Sequence, residues 1–374
     1  MNLKSLFHNL LVIICFVSFS LNGRAQSKAS AKNKQAEAVF NKGKENFSKG
    51  DFDAAIVNFK TVISTNPSDS AYRALGYAYT MKEDYANGLD ALNKSIQLDP
   101  KAAATYGIRG MLYRYQKEFD LAIADFSKAI ELAPKQTSYY LSREESYMNK
   151  GEFQLVVNDC SKVIELDAAN ERAYRNRATA GFFLKDFTNA IKDASKAVEL
   201  DPKDIQAYRI RAGAYMSQNT NYDLAIKDFD KLIELEPKEP ENYSNRAAIF
   251  VMKNDFAPAI AGYTKAIEVS GGTKAEYYSG RGKAYVLKGD HAAGIKDLDK
   301  AVELEPSNAE NYYSRGRGYS YAKKPDMAIK DYTKAIELNP KDPQAFEQRA
   351  KAYQETGKKA LAEADAAKAK EMGK

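Results

Sequence analysis

The 374-residue chain is 44% hydrophobic and 28% charged, with a formal net charge of +6. That length admits two ordinary globular domains or one elongated array, and the interspersed charges exclude disorder as the default. With two cysteines and two histidines in the whole chain, no metal site rich in those ligands can be assembled, and no cofactor is expected.

Residues 1–25 carry the marks of a signal peptide: Lys4 supplies a positive start, Leu10 to Leu21 an apolar stretch, and Gly23-Arg24-Ala25 small residues at a cleavage site before Gln26. The apolar stretch is short for a bilayer, so the expectation is cleavage, export to the periplasm, cell surface or extracellular space of a bacterium, and no transmembrane span thereafter. Retention as an anchor is the alternative. Cys15 follows Ile14, where a lipoprotein site wants a small residue, so lipidation is not expected. Cleavage removes the charges of Lys4 and Arg24, which takes +6 to +4. So weak a bias lacks the dense basic stripe of a nucleic-acid binder. Residues 26–35, polar and lysine-rich, read as a flexible leader.

From there a period of about 34 residues runs to the C-terminus. Pro67, Pro100, Pro134, Pro202, Pro237, Pro306 and Pro340 recur at intervals of 33 to 35 residues or twice that, with Ala168 and Gly271 holding the two missing places. With that proline as step 32, step 4 is aromatic in nine of ten repeats, from Tyr72 to Phe346. Step 8 is small in all but one repeat, the exception being Glu144, and step 11 is often tyrosine. These three steps share one helix face. Steps 20, 24 and 27 mark a second amphipathic helix, as in Ala122, Phe126 and Ala129, and turn signals such as Lys150-Gly151-Glu152 separate the two. Helices of about a dozen residues do not stand alone in water, so stability must come from stacking.

On this spacing the chain resembles the tetratricopeptide repeat family. The resemblance implies an all-α fold, a right-handed superhelical α-solenoid of nine helix-turn-helix units over 36–342, closed by a terminal helix pair and solvating cap over 343–374. Two departures stand out: tyrosine replaces the family's tryptophan at step 4, and arginine replaces its leucine at step 7, in Arg109, Arg143, Arg177, Arg211, Arg246, Arg281, Arg315 and Arg349. Step 7 borders the inter-helix face, where an arginine head needs a partner. Aspartates at step 23 of the facing helix (Asp125, Asp159, Asp193, Asp228, Asp297 and Asp331) are the expected partners, and a ladder of anion-binding groups is the competing reading. Repeat six carries one additional residue between Ser217 and Tyr222, and repeat seven ends in Gly271-Gly272; a bend is expected there if anywhere.

In the family the concave surface, lined by first-helix steps 2, 5, 9 and 12, receives segments of partner proteins. Those steps imply Arg73, Tyr77, Met111, Arg114, Met148, Arg172, Arg175, Arg209 and Met216 as groove residues. The family's lysine-asparagine-arginine clamp for C-terminal carboxylates has no match. Cys160 stands at a core step and reads as a small buried hydrophobe rather than a reactive thiol; His291, beside Asp290, reads as surface. The implied function is a protein-protein interaction scaffold of the cell envelope or extracellular space that binds a protein or peptide segment and no nucleic acid. The alternatives are a structural component of an envelope assembly or, from another class, an enzyme or an accessory domain of one. Against catalysis stand the absence of a phosphate loop and of a two-histidine metal motif.

Overall fold

A computed structural model describes residues 27–218 and 221–372. The signal peptide read at residues 1–25 lies outside them, as does part of the additional stretch of repeat six. Among the described residues all regular structure is helical, and the chain divides into two units at Asp201 and Pro202.

The first unit holds five helix pairs: α1 (Ser27–Ser48) and α2 (Phe52–Thr65), α3 (Asp69–Met81) and α4 (Tyr85–Leu98), α5 (Ala103–Tyr115) and α6 (Phe119–Leu132), α7 (Thr137–Lys150) and α8 (Phe153–Leu166), α9 (Glu171–Phe183) and α10 (Phe187–Leu200). The second holds five more: α11 (Ile205–Ser217) and α12 (Tyr222–Leu235), α13 (Pro240–Met252) and α14 (Phe256–Val269), α15 (Ala275–Lys288) and α16 (His291–Leu304), α17 (Ala309–Tyr321) and α18 (Pro325–Leu338), α19 (Pro343–Glu355) and α20 (Lys359–Met372). The nine expected repeats and the terminal pair are thus ten consecutive helix pairs. Residues 27–35, expected to be a flexible leader, form the opening of α1, because good helix formers run there without glycine or proline until the turn at Gly50.

Local sequence explains where helices begin and end. Second helices often start at an aspartate that accepts from a backbone N–H three residues on, as Asp51 does from Ala54 and Asp290 from Ala293. First helices end in a left-handed residue, glycine at Gly151 (φ 74°) and Gly289 (φ 97°) but lysine at Lys117, Lys185 and Lys323. Exposed lysine and glutamate three residues apart, such as Lys196 and Glu199 at 2.6 Å and Lys334 and Glu337 at 3.0 Å, decorate the outer side of second helices.

Within each unit every helix packs on the next in sequence. First helices also touch first helices: α3 with α5 and α5 with α7, then α13 with α15, α15 with α17 and α17 with α19. Successive second helices do not approach to that degree. In each unit, therefore, the first helices line the inside of the curve.

The interior of a pair is set by complementary sizes at steps 8 and 24. A Cβ on Gly43 would stand 2.6 Å from Phe59, one on Gly110 2.9 Å from Phe126, and one on Gly316 2.8 Å from Tyr332, so glycine is required where the facing side chain is large. Repeat four reverses the sizes. Cys160 is fully buried where other repeats carry a ring, and Glu144, only 1% exposed, takes the space. The reading of Cys160 as a buried small hydrophobe agrees with this, and burial pushes its thiol well up from the ordinary range.

Candidate binding surface

The step-7 arginines come first because they hold the inner helices in register. Arg109 spans both carboxylate oxygens of Asp125 at 2.7 and 2.8 Å, and the same bidentate fork joins Arg143 to Asp159, Arg177 to Asp193, Arg211 to Asp228, Arg281 to Asp297 and Arg315 to Asp331. In the terminal pair Arg349 grips Asp365 at 2.7 and 2.9 Å, so that pair is built like the repeats before it. The aspartates are buried, while the arginine side chains keep about a fifth of their surface in water. Where the geometry is bidentate, both charges are satisfied, which is the condition for a buried pair to be tolerated.

The remaining nitrogen of the fork reaches the preceding repeat. Arg109 donates to Asn93 at 2.6 Å, Arg143 to Ser127 at 2.9 Å, Arg281 to Thr264 at 3.0 Å, Arg315 to Asp299 at 2.8 Å and Arg349 to Thr333 at 3.0 Å, all at step 25. The step-4 tyrosines, half-buried except for the buried Tyr140, lie beneath the same guanidinium groups, with ring centroids 5.4 to 5.9 Å away. Tyr140 and Tyr243 also donate their hydroxyls to the carbonyls of Pro134 and Pro237 at 3.1 Å. Repeat seven departs: glycine at position 262 stands where the aspartate should be, and Arg246 turns back to Asp230 at 2.8 Å.

The inner face itself differs between the two units. In the first, Arg73, Tyr77 and Met111, expected to line the groove, are 4%, 1% and 3% exposed. Tyr77 packs on Phe47 at 4.7 Å between ring centroids, Arg73 bonds Asp69 at 2.9 Å, and Gly107 lets Tyr139 lie against the backbone, so neighbouring first helices close over these positions. They are core, not groove. Met148 is half-buried against the core of repeats four and five.

Further along, Arg114 and Arg172 both grip Glu145, while Arg175 bonds Glu171 at 2.8 Å. Asn176 donates to Glu144 at 2.9 Å, and burial pushes the Glu144 carboxyl up from its ordinary value despite that bond. These three arginines and three glutamates form one cluster across α5, α7 and α9. In the second unit Arg209 is committed to Glu236 at 2.5 Å, and Met216 packs half-buried on the core of repeat six.

The open site of the second unit lies where the groove steps were not followed in the sequence. Between α17 and α19 is a cleft of about 620 Å³ whose walls are Tyr313, Arg317, Tyr321, Gln344, Gln348 and Lys351, among others, over a floor that includes Tyr332. Steps 2, 5, 9 and 12 of repeats nine and ten supply six of its eleven lining residues, so the periodicity that selected Arg73 and Met111 would have found it if carried to the end. Tyr332 is fully buried, exchanges a hydrogen bond with Ser320 at 3.1 Å, and has its hydroxyl pushed up to about 12 by burial, so it meets the cleft as a neutral group. His291, expected at the surface, is instead half-buried and stacks on Tyr321 at 6.2 Å between ring centroids.

Sequence models of the tetratricopeptide repeat match residues 40–103, 103–136, 171–204, 275–308, 309–342 and 331–364, together more than half of the chain. The chain belongs to the tetratricopeptide repeat family. No curated protein matches this tetratricopeptide repeat chain in sequence. Among solved structures, the C-terminal part of a TPR repeat-containing protein from Cytophaga hutchinsonii is similar in fold, with a TM-score of 0.57 and 19% identity over 64% of this chain and 98% of that one. YrrB, described as a TPR protein with an unusual peptide-binding site, is 21% identical with a TM-score of 0.42 over 50% of this chain and 95% of its own. MamA is 25% identical with a TM-score of 0.39 over 43% and 94%. No helix among the described residues is long and apolar enough to cross a membrane.

Proposed function

We propose that this tetratricopeptide repeat protein is an interaction scaffold, exported to the cell envelope or extracellular space, whose first-helix face holds a segment of a partner protein. The observation that carries the reading is the cleft between α17 and α19, a polar and aromatic hollow on the inner side of a clamped array. Tyrosine and arginine around a preformed depression are the chemistry of a protein contact, and helices fixed by forked ion pairs lose little freedom on binding. The export half of the proposal rests on residues 1–25 alone.

The test is site-specific photocrosslinking in intact cells, with the crosslinker at Gln348 on the cleft wall or at Lys330 on the exposed side of α18. A discrete adduct from Gln348 and none from Lys330 supports the scaffold. Adducts from Lys330 alone would favour a structural component held by its outer face. Sequencing the N-terminus of protein recovered from the envelope fraction reads the export claim, with Gln26 as the expected first residue.

A further inference from the structure

Of the fourteen arginines among the described residues, thirteen make an ion pair with a carboxylate. Arg317 makes none. It stands in the cleft between α17 and α19, with its guanidinium carbon 5.9 Å from the centre of the Tyr321 ring. Lys351 across the cleft and Lys323 at its end are likewise without an ion pair. A chain that neutralises every other guanidinium leaves three cations facing one hollow, against the two carboxylates of Glu347 and Glu355 on the α19 wall.

We propose that Arg317 is the anchor for a carboxylate of the partner segment, seated between the Tyr313 and Tyr321 rings with Lys351 as the second cation. The inference rests on the scaffold reading and deepens it by naming the chemistry of the occupant. The Arg317 guanidinium lies beside the Tyr321 ring and donates a hydrogen bond to its hydroxyl, and the N–H groups not used there remain to meet a planar anion. Gln344 and Gln348 offer amides that can bond the peptide backbone on either side of that residue. Glu347, on the opposite wall, disfavours an acid placed on its own side and so sets the direction in which the segment lies.

Two sources supply such a carboxylate, an internal acidic side chain or a chain terminus. The probe is an array of twelve-residue peptides in which each sequence occurs with glutamate, with glutamine in its place, and with a free or amidated C-terminus. It is read with the full chain and with the Arg317→Gln, Lys351→Gln and Glu347→Gln variants. Retention of the glutamate member about tenfold above its glutamine twin is expected, and Arg317→Gln should abolish that preference. Lys351→Gln should weaken the preference and Glu347→Gln should strengthen it. An unchanged melting temperature for Arg317→Gln separates this role from a structural one. Loss of binding on amidation alone would place the terminus in the site. Peptides retained without any acidic preference, or with one that survives Arg317→Gln, would overturn the inference and leave the scaffold standing; no retained peptide at all would count against both.

Discussion

Removing one member of a forked pair tests whether the arginine column holds the array together. Asp297→Ala strips both carboxylate bonds from Arg281, at 2.7 and 2.9 Å, and leaves its guanidinium with only Thr264 at 3.0 Å. Losing a partner from a buried pair costs about 3 to 5 kcal/mol, most of it the penalty of an uncompensated charge. Because the Arg281 side chain is 18% exposed and can turn its head to water, the expected loss is nearer 2 to 3 kcal/mol. Replacing both members, as Arg281→Met with Asp297→Leu, leaves no charge behind and should cost less than about 1 kcal/mol. Urea unfolding followed by helical circular dichroism at neutral pH reads both, with an unchanged denaturant slope showing that the same surface is exposed. A cost below about 0.5 kcal/mol for Asp297→Ala, the level of a surface ion pair, would refute the view that these pairs hold the helices in register.

Two further expectations follow from the interior. Gly43→Val drives a side chain into Phe59, whose ring atoms lie 2.6 to 3.1 Å from the added Cβ, and should destabilise by about 1 to 3 kcal/mol; in a double-mutant cycle with Phe59→Ala the two losses should sum to more than the double variant shows. Glu144 is held above its ordinary pKa by burial, so the native state keeps its proton to higher pH than the unfolded chain does. Its contribution to stability is therefore full below the unfolded value of about 4.3 and declines as pH rises through the folded one. Glu144→Gln should accordingly raise the melting temperature at pH about 7.5 and leave it nearly unchanged at pH about 4; an equal gain at both would mean that the effect owes nothing to ionisation of Glu144 and would refute the reading.

Much of the architecture was legible because one beat governs it. Tyrosine at step 4, a small residue at step 8 and the proline at step 32 return so regularly that ten helix pairs, and the pairing of step-7 arginines with step-23 aspartates, could be read from spacing. The arm to step 25 was not legible, because Asn93, Ser127, Thr264 and Asp299 share an acceptor oxygen and no residue type. The groove was misplaced for a different reason. Steps 5 and 9 face inward in every repeat, but whether they stay open depends on how closely neighbouring first helices approach. In the first unit small residues such as Gly107 close that distance over Arg73, Tyr77 and Met111. In repeats nine and ten the same steps border open space, and no property of Arg317 taken alone distinguishes it from the paired arginines around it.

The forks also give the molecule a polarity along its length. Apart from Arg246, the step-7 guanidinium groups donate two bonds within their own repeat, and those of Arg109, Arg143, Arg177, Arg281, Arg315 and Arg349 donate a third to the repeat synthesised before it. A completed repeat therefore finds the step-25 acceptor of its arginine already in place in the repeat before it. Shortening from the carboxyl end strands only a small hydroxyl, amide or carboxylate that water can satisfy, whereas losing a leading repeat deprives the next arginine of one of its three anchors.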